Sequence, residues 1–235
     1  MTGANAPGTH ARVWGCRMSI RKIVTAAIAA VALSAGAANA ETALSYYVNG
    51  QVDFAQIDAG ATDDDYTNFA VGGAVAFAVS ENIGAQIDAL LTFVDEDISD
   101  DEVFAGTAHL FHRTAEGLIG GFLGAATSDG DTTWGGGVEA AKYHDAWTLG
   151  GAVTYATNDD TDTDLWLIDG YVQYYYNENL ASEFGVGFGN ADNGGGDADL
   201  WAVNAGVAYQ LSSMPLGFSA RVGYGTVDDA DVDAT

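Results

Sequence analysis

Period-two alternation, sustained over most of the chain after residue 40, constrains the fold more tightly than any other feature. It is cleanest from Trp147 to Tyr176, where WTLGGAVTYA and LWLIDGYVQYYY flank the acidic segment TNDDTDTD. Trp147, Leu149, Val153 and Tyr155 share one parity; Thr148, Gly150, Ala152, Thr154 and Ala156 share the other. In the second arm Trp166, Ile168, Val172 and Tyr174 oppose Asp169, Tyr171 and Gln173. Successive side chains of a strand point to opposite faces, so each arm predicts a strand with one apolar face and one small or polar face. A soluble β-sandwich hairpin has the same local pattern. What separates the two readings is recurrence along the chain and the placement of aromatic residues.

Trp147 and Tyr155 bracket one apolar face, Trp166 and Tyr174 the next, and Trp201 and Tyr209 a third, in each case eight residues apart. Eight residues rise about 26 Å along a strand. Tilted by about 40°, that is roughly 20 Å of height, close to the apolar band of a membrane-spanning barrel. Aromatic rings favour the two membrane–water interfaces, so these six residues form a candidate aromatic girdle. The alternation predicts eleven strands, at 44–57, 66–80, 84–94, 103–114, 118–126, 133–143, 147–156, 165–176, 180–189, 200–211 and 216–226. The fifth, LIGGFLGAA, is the one whose facing stays ambiguous.

The connections predict a sided molecule. The segments 58–65, 95–102, 127–132, 157–164, 190–199 and 227–235 are long and hold 23 acidic residues. The short gaps 81–83, 115–117, 144–146, 177–179 and 212–215 hold four. Short turns at one end and longer loops at the other is the pattern of an outer-membrane barrel, whose short turns face the periplasm.

Residues 1–40 contain no Asp or Glu. Arg21 and Lys22, the apolar run Ile23 to Leu33 and Ala38-Asn39-Ala40 compose a secretory signal peptide over 18–40, cut before Glu41. Residues 1–17, with Cys16 as the sole cysteine, then read as an upstream extension or a mis-assigned start. After residue 40 the chain carries Arg113, Lys142 and Arg221 against 33 acids, a formal charge of −30. Such a surface repels nucleic-acid phosphates, which excludes that partner. No apolar run reaches the roughly 18 residues a spanning helix needs, so a membrane role falls to strands, and a spanning sheet must close on itself.

The signal peptide, amphipathic strands, aromatic ends and alternating connections of residues 41–235 together resemble the Gram-negative porin-like outer-membrane β-barrel proteins. The resemblance implies an all-β, transmembrane, antiparallel up-and-down barrel that diffuses small hydrophilic solutes. No enzyme activity and no cofactor are expected. Its partners would be outer-membrane lipid, lipopolysaccharide bridged through divalent cations, and the barrel assembly machinery. Members usually end in a strand with a terminal aromatic residue, and bacterial barrels have even strand numbers. Eleven strands and an Ala234-Thr235 end therefore predict that the final strand, a twelfth, is missing.

The inward face carries Asp53, Asp88, Glu139, Asp169 and Glu183 with Arg113, Arg221 and His109. Five acids against two arginines predict a lumen that prefers cations. A barrel this narrow also fits a closed lumen, with a structural or surface-interaction role. An outer-membrane hydrolase is the weakest reading: His109 and His112 have opposite parity, and His144 falls in a turn. Asp160, Asp162 and Asp164 have alternate spacing, but Leu165 and Tyr171 stand where a calcium loop needs Gly and Glu. Asn193 to Asp197 matches a calcium repeat only in part. No metal ligand is assigned.

Overall fold

The computed structural model describes residues 44–58, 63–94, 102–128, 130–192 and 196–229. The signal peptide, the segment 95–101 and the tail beyond residue 229 lie outside them. Eleven strands run in chain order: β1 Leu44–Asp58, β2 Asp63–Ala78, β3 Ile83–Val94, β4 Glu102–Thr114, β5 Gly117–Ser128 and β6 Asp131–His144. They continue with β7 Trp147–Asn158, β8 Thr163–Tyr175, β9 Leu180–Asp192, β10 Asp197–Gln210 and β11 Leu216–Asp229. Each strand pairs with its sequence neighbours in antiparallel register, and β1 meets β11 to close a single barrel. Among the described residues no helix is long and apolar enough to cross a membrane.

The outer surface is where the large apolar side chains sit. Val48, Phe69, Ile87, Leu110, Val138, Leu149, Ile168, Phe184, Val207 and Val222 are all between 45 and 64 % exposed. Meanwhile Gln51, Gln86, Asp88, His109, Asp169 and Gln173 are buried. This inverts the order of a water-soluble protein, in which polar groups face out and apolar ones in. A closed sheet with an apolar outside and a polar inside is the outer-membrane β-barrel fold. The ambiguous fifth strand resolves with Ile119 and Leu123 outward, 63 and 73 % exposed.

Closure comes from the register between first and last strands. With eleven strands alternating in direction, β1 and β11 run the same way, and they pair in parallel from Val48↔Leu216 to Asp58↔Thr226. The inference from an odd count to an open edge is thereby corrected: the sheet seals without a twelfth strand. Parallel pairs are slightly weaker per residue than antiparallel ones. Here side chains reinforce the seam from inside. Asn49 Nδ2 donates to Ser219 Oγ at 3.0 Å, Ser219 Oγ donates to Gln51 Oε1 at 3.4 Å, and Gln51 Nε2 donates to Asp53 Oδ2 at 2.6 Å.

The ends differ from expectation in one respect. The strands run further than the alternation alone implied, so the acidic connections shrink. β5 and β6 are separated by two residues, and β7 and β8 by four, Asp159 to Asp162. At the opposite end the gaps span two to five residues. Length therefore separates the two ends, through the seven residues between β3 and β4, less sharply than charge does. Asp58, Asp63, Asp131, Asp164, Asp192 and Asp197 lie within strands, at their tips. Strand pairing can outrun the apolar band because backbone groups in water still gain partners from it.

Candidate functional site: the polar interior

The strand register brings the inward charges into two clusters. The first spans β3 to β6. His109 pairs with Gln86 across one strand boundary and with Phe122 across the other, and Glu139 lies on β6 opposite Gly120. His109 Nδ1 and Glu139 Oε1 are 2.9 Å apart in hydrogen-bond geometry. His109 Nε2 lies 3.1 Å from Asp88 Oδ2, within ion-pair range but not aligned as a hydrogen bond. Gln86 Nε2 donates to both Asp88 oxygens, at 2.8 and 3.1 Å. The Asp88 side chain is wholly buried, and the Phe122 ring packs 5.5 Å from the imidazole, centroid to centroid. A carboxylate this deep persists only with partners that satisfy its lone pairs, and the amide and imidazole supply them.

The second cluster sits across the seam. Glu183 opposes Gly206, Gly206 opposes Arg221, and Arg221 opposes Asp53. Arg221 reaches Glu183 Oε1 at 3.3 Å and Asp53 Oδ1 at 3.8 Å. Gly206 lets these two larger side chains meet over it. Asp169, buried on β8, lies between the clusters in register, opposite Ala152, which itself opposes Glu139. Arg113, on β4, places its guanidinium 5.4 Å from the Tyr143 ring centroid.

The eight predicted interior residues share the inward face; His109, Asp88 and Glu139 form one cluster there, and Glu183, Arg221 and Asp53 another. The partners Gln51, Gln86 and Ser219 were not singled out, and no sequence signal marks which amide meets which acid before the register is known. Inward aromatic rings are a second surprise. A Cβ on Gly150 would fall 2.5 Å from Tyr171 Cζ, and one on Gly137 would fall 2.7 Å from Phe122 Cζ. The ends of these rings therefore sit over glycines of the next strand, in space that a side chain there would fill. Glycine opposite an aromatic is the available signal, and it too needs the register.

At the end bearing the short turns, a cavity of about 410 Å³ opens between β1 and β8–β11, reaching Glu183 and Arg221.

The girdle residues split between the rims. Trp147 pairs with Tyr174 and Tyr209 with Phe218 at the short-turn end; Tyr155 pairs with Trp166 at the acidic end. The Trp147 and Tyr174 rings lie 4.6 Å apart, tilted by 51°, and Trp201 lies 5.5 Å from Tyr224. Phe54, Phe69, Phe104, Trp134 and Phe188 extend the acidic-end ring, with exposures of 49 to 63 %. His112 is exposed on the outer face and His144 is exposed at the short-turn end. The Asp159–Asp162 turn is internally capped, since Asn158 Oδ1 accepts from the backbone of Asp160 and Thr161. Asp164 is taken by the Tyr155 hydroxyl at 2.7 Å. At the short-turn rim, Lys142 near the end of β6 donates to Glu116 in the β4–β5 turn at 3.0 Å and holds its carboxyl below the ordinary range.

No protein-family model matches the chain, and no curated protein does. Among solved structures it is similar to OmpT, an outer membrane protein of Vibrio cholerae folded in vitro and described in its trimer form. That similarity has 11 % identity and a TM-score of 0.42, and covers 81 % of this chain and 95 % of that one.

Proposed function

We propose that the protein resides in the bacterial outer membrane and lets small hydrophilic solutes diffuse through a narrow, acid-rich lumen, cations ahead of anions. The observation that carries this reading is the interior itself. Asp53, Asp88, Glu139, Asp169 and Glu183 face Arg113, Arg221 and His109 there, among walls of glycine and alanine. Acid-rich linings favour cations. The acidic rim would face outside, where divalent cations could bridge it to lipopolysaccharide phosphates, and the assembly machinery would insert the barrel. No catalytic role is proposed. Loss of a lipase or peptidase activity on His109→Ala would overturn that part.

A second reading has its own support. The Asp88 side chain is fully buried and that of His109 is 6 % exposed, so one side of the waist is packed shut. This favours a closed barrel with a structural or surface-interaction role. Conductance of the purified protein in planar bilayers separates the two. Channel events with a cation-selective reversal potential support diffusion; absent events, or anion selectivity, reject it.

A further inference from the structure

We propose that the cavity at the short-turn mouth is a binding vestibule for a neutral, hydroxyl-rich ligand the size of a mono- or disaccharide. The proposal deepens the diffusion reading by naming a solute class. It rests on the barrel being folded as described and does not require conduction.

The cavity's 410 Å³ is within the usual range for small-molecule sites. Its chemistry is that of side-chain amides and tyrosines. Asn49 Nδ2 donates to Ser219 Oγ and Gln210 Nε2 to Met214 O, so these two residues offer their amide oxygens as acceptors, while Gln173 offers its amide nitrogen as a donor; together they match a hydroxyl that does both. Tyr175 donates its hydroxyl to Gln173 Oε1 at 2.7 Å, which leaves the amide nitrogen's hydrogens for another acceptor. Tyr47 and Tyr175 add flat rings against which the C–H faces of a sugar can pack.

Gly217 is central to the arrangement. A Cβ there would lie 3.0 Å from Gln210 Oε1 and 3.1 Å from Asn49 Oδ1. Two amide oxygens therefore converge over one glycine, side by side, as two neighbouring hydroxyls require. Ser45 Oγ, also in the lining, is buried with no hydrogen-bond partner among protein atoms. Charge argues against an anionic ligand. Arg221 is already held between Glu183 and Asp53, so an anion would have to break that ion pair. The remaining lining charge, Glu178, is exposed in the turn at the rim.

The test uses the purified protein folded in detergent micelles, with sucrose as the probe and glycine betaine, a zwitterion without hydroxyls, as the contrast. Titration calorimetry or saturation-transfer NMR is expected to give sucrose a dissociation constant on the order of millimolar. Betaine should bind at least tenfold more weakly. Gln173→Leu with Gln210→Leu should weaken sucrose tenfold or more. Equal affinity for the two probes, or sucrose binding indifferent to the double substitution, overturns the proposal. Should that variant not fold, nitration of the unsubstituted protein decides. Saturating sucrose should protect Tyr175 and leave Tyr155, at the far rim, unprotected; equal labelling of Tyr175 with and without sucrose overturns it. Sucrose binding in a protein that conducts no ions would sink the diffusion reading and leave this one standing.

Discussion

Arg221→Met tests how the seam and the lumen are joined. Arg221 is 16 % exposed at its side chain, and its two acids, Glu183 and Asp53, are 14 and 21 % exposed. At an effective dielectric of about 20, charges 3.3 and 3.8 Å apart attract by roughly 5 and 4 kcal/mol before desolvation is counted. Much of that is offset by the cost of holding three ions out of bulk water. Deleting one partner of a buried pair costs about 3–5 kcal/mol, because the remaining charges are stranded. The residual exposure of all three groups brings the expectation to about 2 kcal/mol. The assay is urea unfolding in micelles followed by tryptophan fluorescence, with the denaturant slope unchanged so that the midpoint reports stability. The triple variant Arg221→Met, Glu183→Gln, Asp53→Asn should recover most of the loss, since no stranded charge remains. The single variant should also raise cation over anion permeability. A midpoint within about 0.3 kcal/mol of the parent, a size expected for an ordinary surface change, would refute the reasoning.

Other expectations follow from the same geometry. Gly150→Leu drives a side chain into the Tyr171 ring, where a Cβ would already fall 2.5 Å away. It should cost about 1–3 kcal/mol by overpacking and push the ring into the lumen, lowering conductance. Unchanged conductance and stability would contradict the ring's placement. His109→Leu strands the buried Asp88 beside Glu139 and should lower the urea midpoint, whereas His144→Leu, exposed at its turn, should leave it unmoved. Lys142→Met should raise the Glu116 carboxyl's titration toward the ordinary value, as seen by NMR. The sign is that of a depressed acid: whatever the pair adds to stability is present above the ordinary carboxylate range and fades as pH falls through the lowered value. For a fully exposed pair the stability change itself should be undetectable.

Much of the fold was legible because a strand's side-chain period is two and does not drift. Once Trp147 and Leu149 share a face, Thr148 and Gly150 must share the other, and the same step places Asp169 and Glu183 inside. Strand ends were less legible. Nothing in TNDDTDTD says that Asn158 and Thr163 still pair across the hairpin, because acidic residues at a tip tolerate either strand or loop. The parallel β1–β11 seam was missed because parity counts strands but does not forbid an odd closure. The interior pairings were missed for a different reason. Asp88 and Glu139 lie 21 and 30 residues from His109 in sequence, and only the relative stagger of β3 to β6 makes them its neighbours.

The account depends on the outer surface being in contact with lipid. Its most direct test is the state of the purified protein in aqueous buffer with detergent removed and no lipid supplied. Exposed Phe69, Leu110, Leu149, Phe184 and Val222 predict aggregation there, and folded strand signal only on return to micelles or vesicles. A folded, monomeric species persisting in plain buffer would contradict the account.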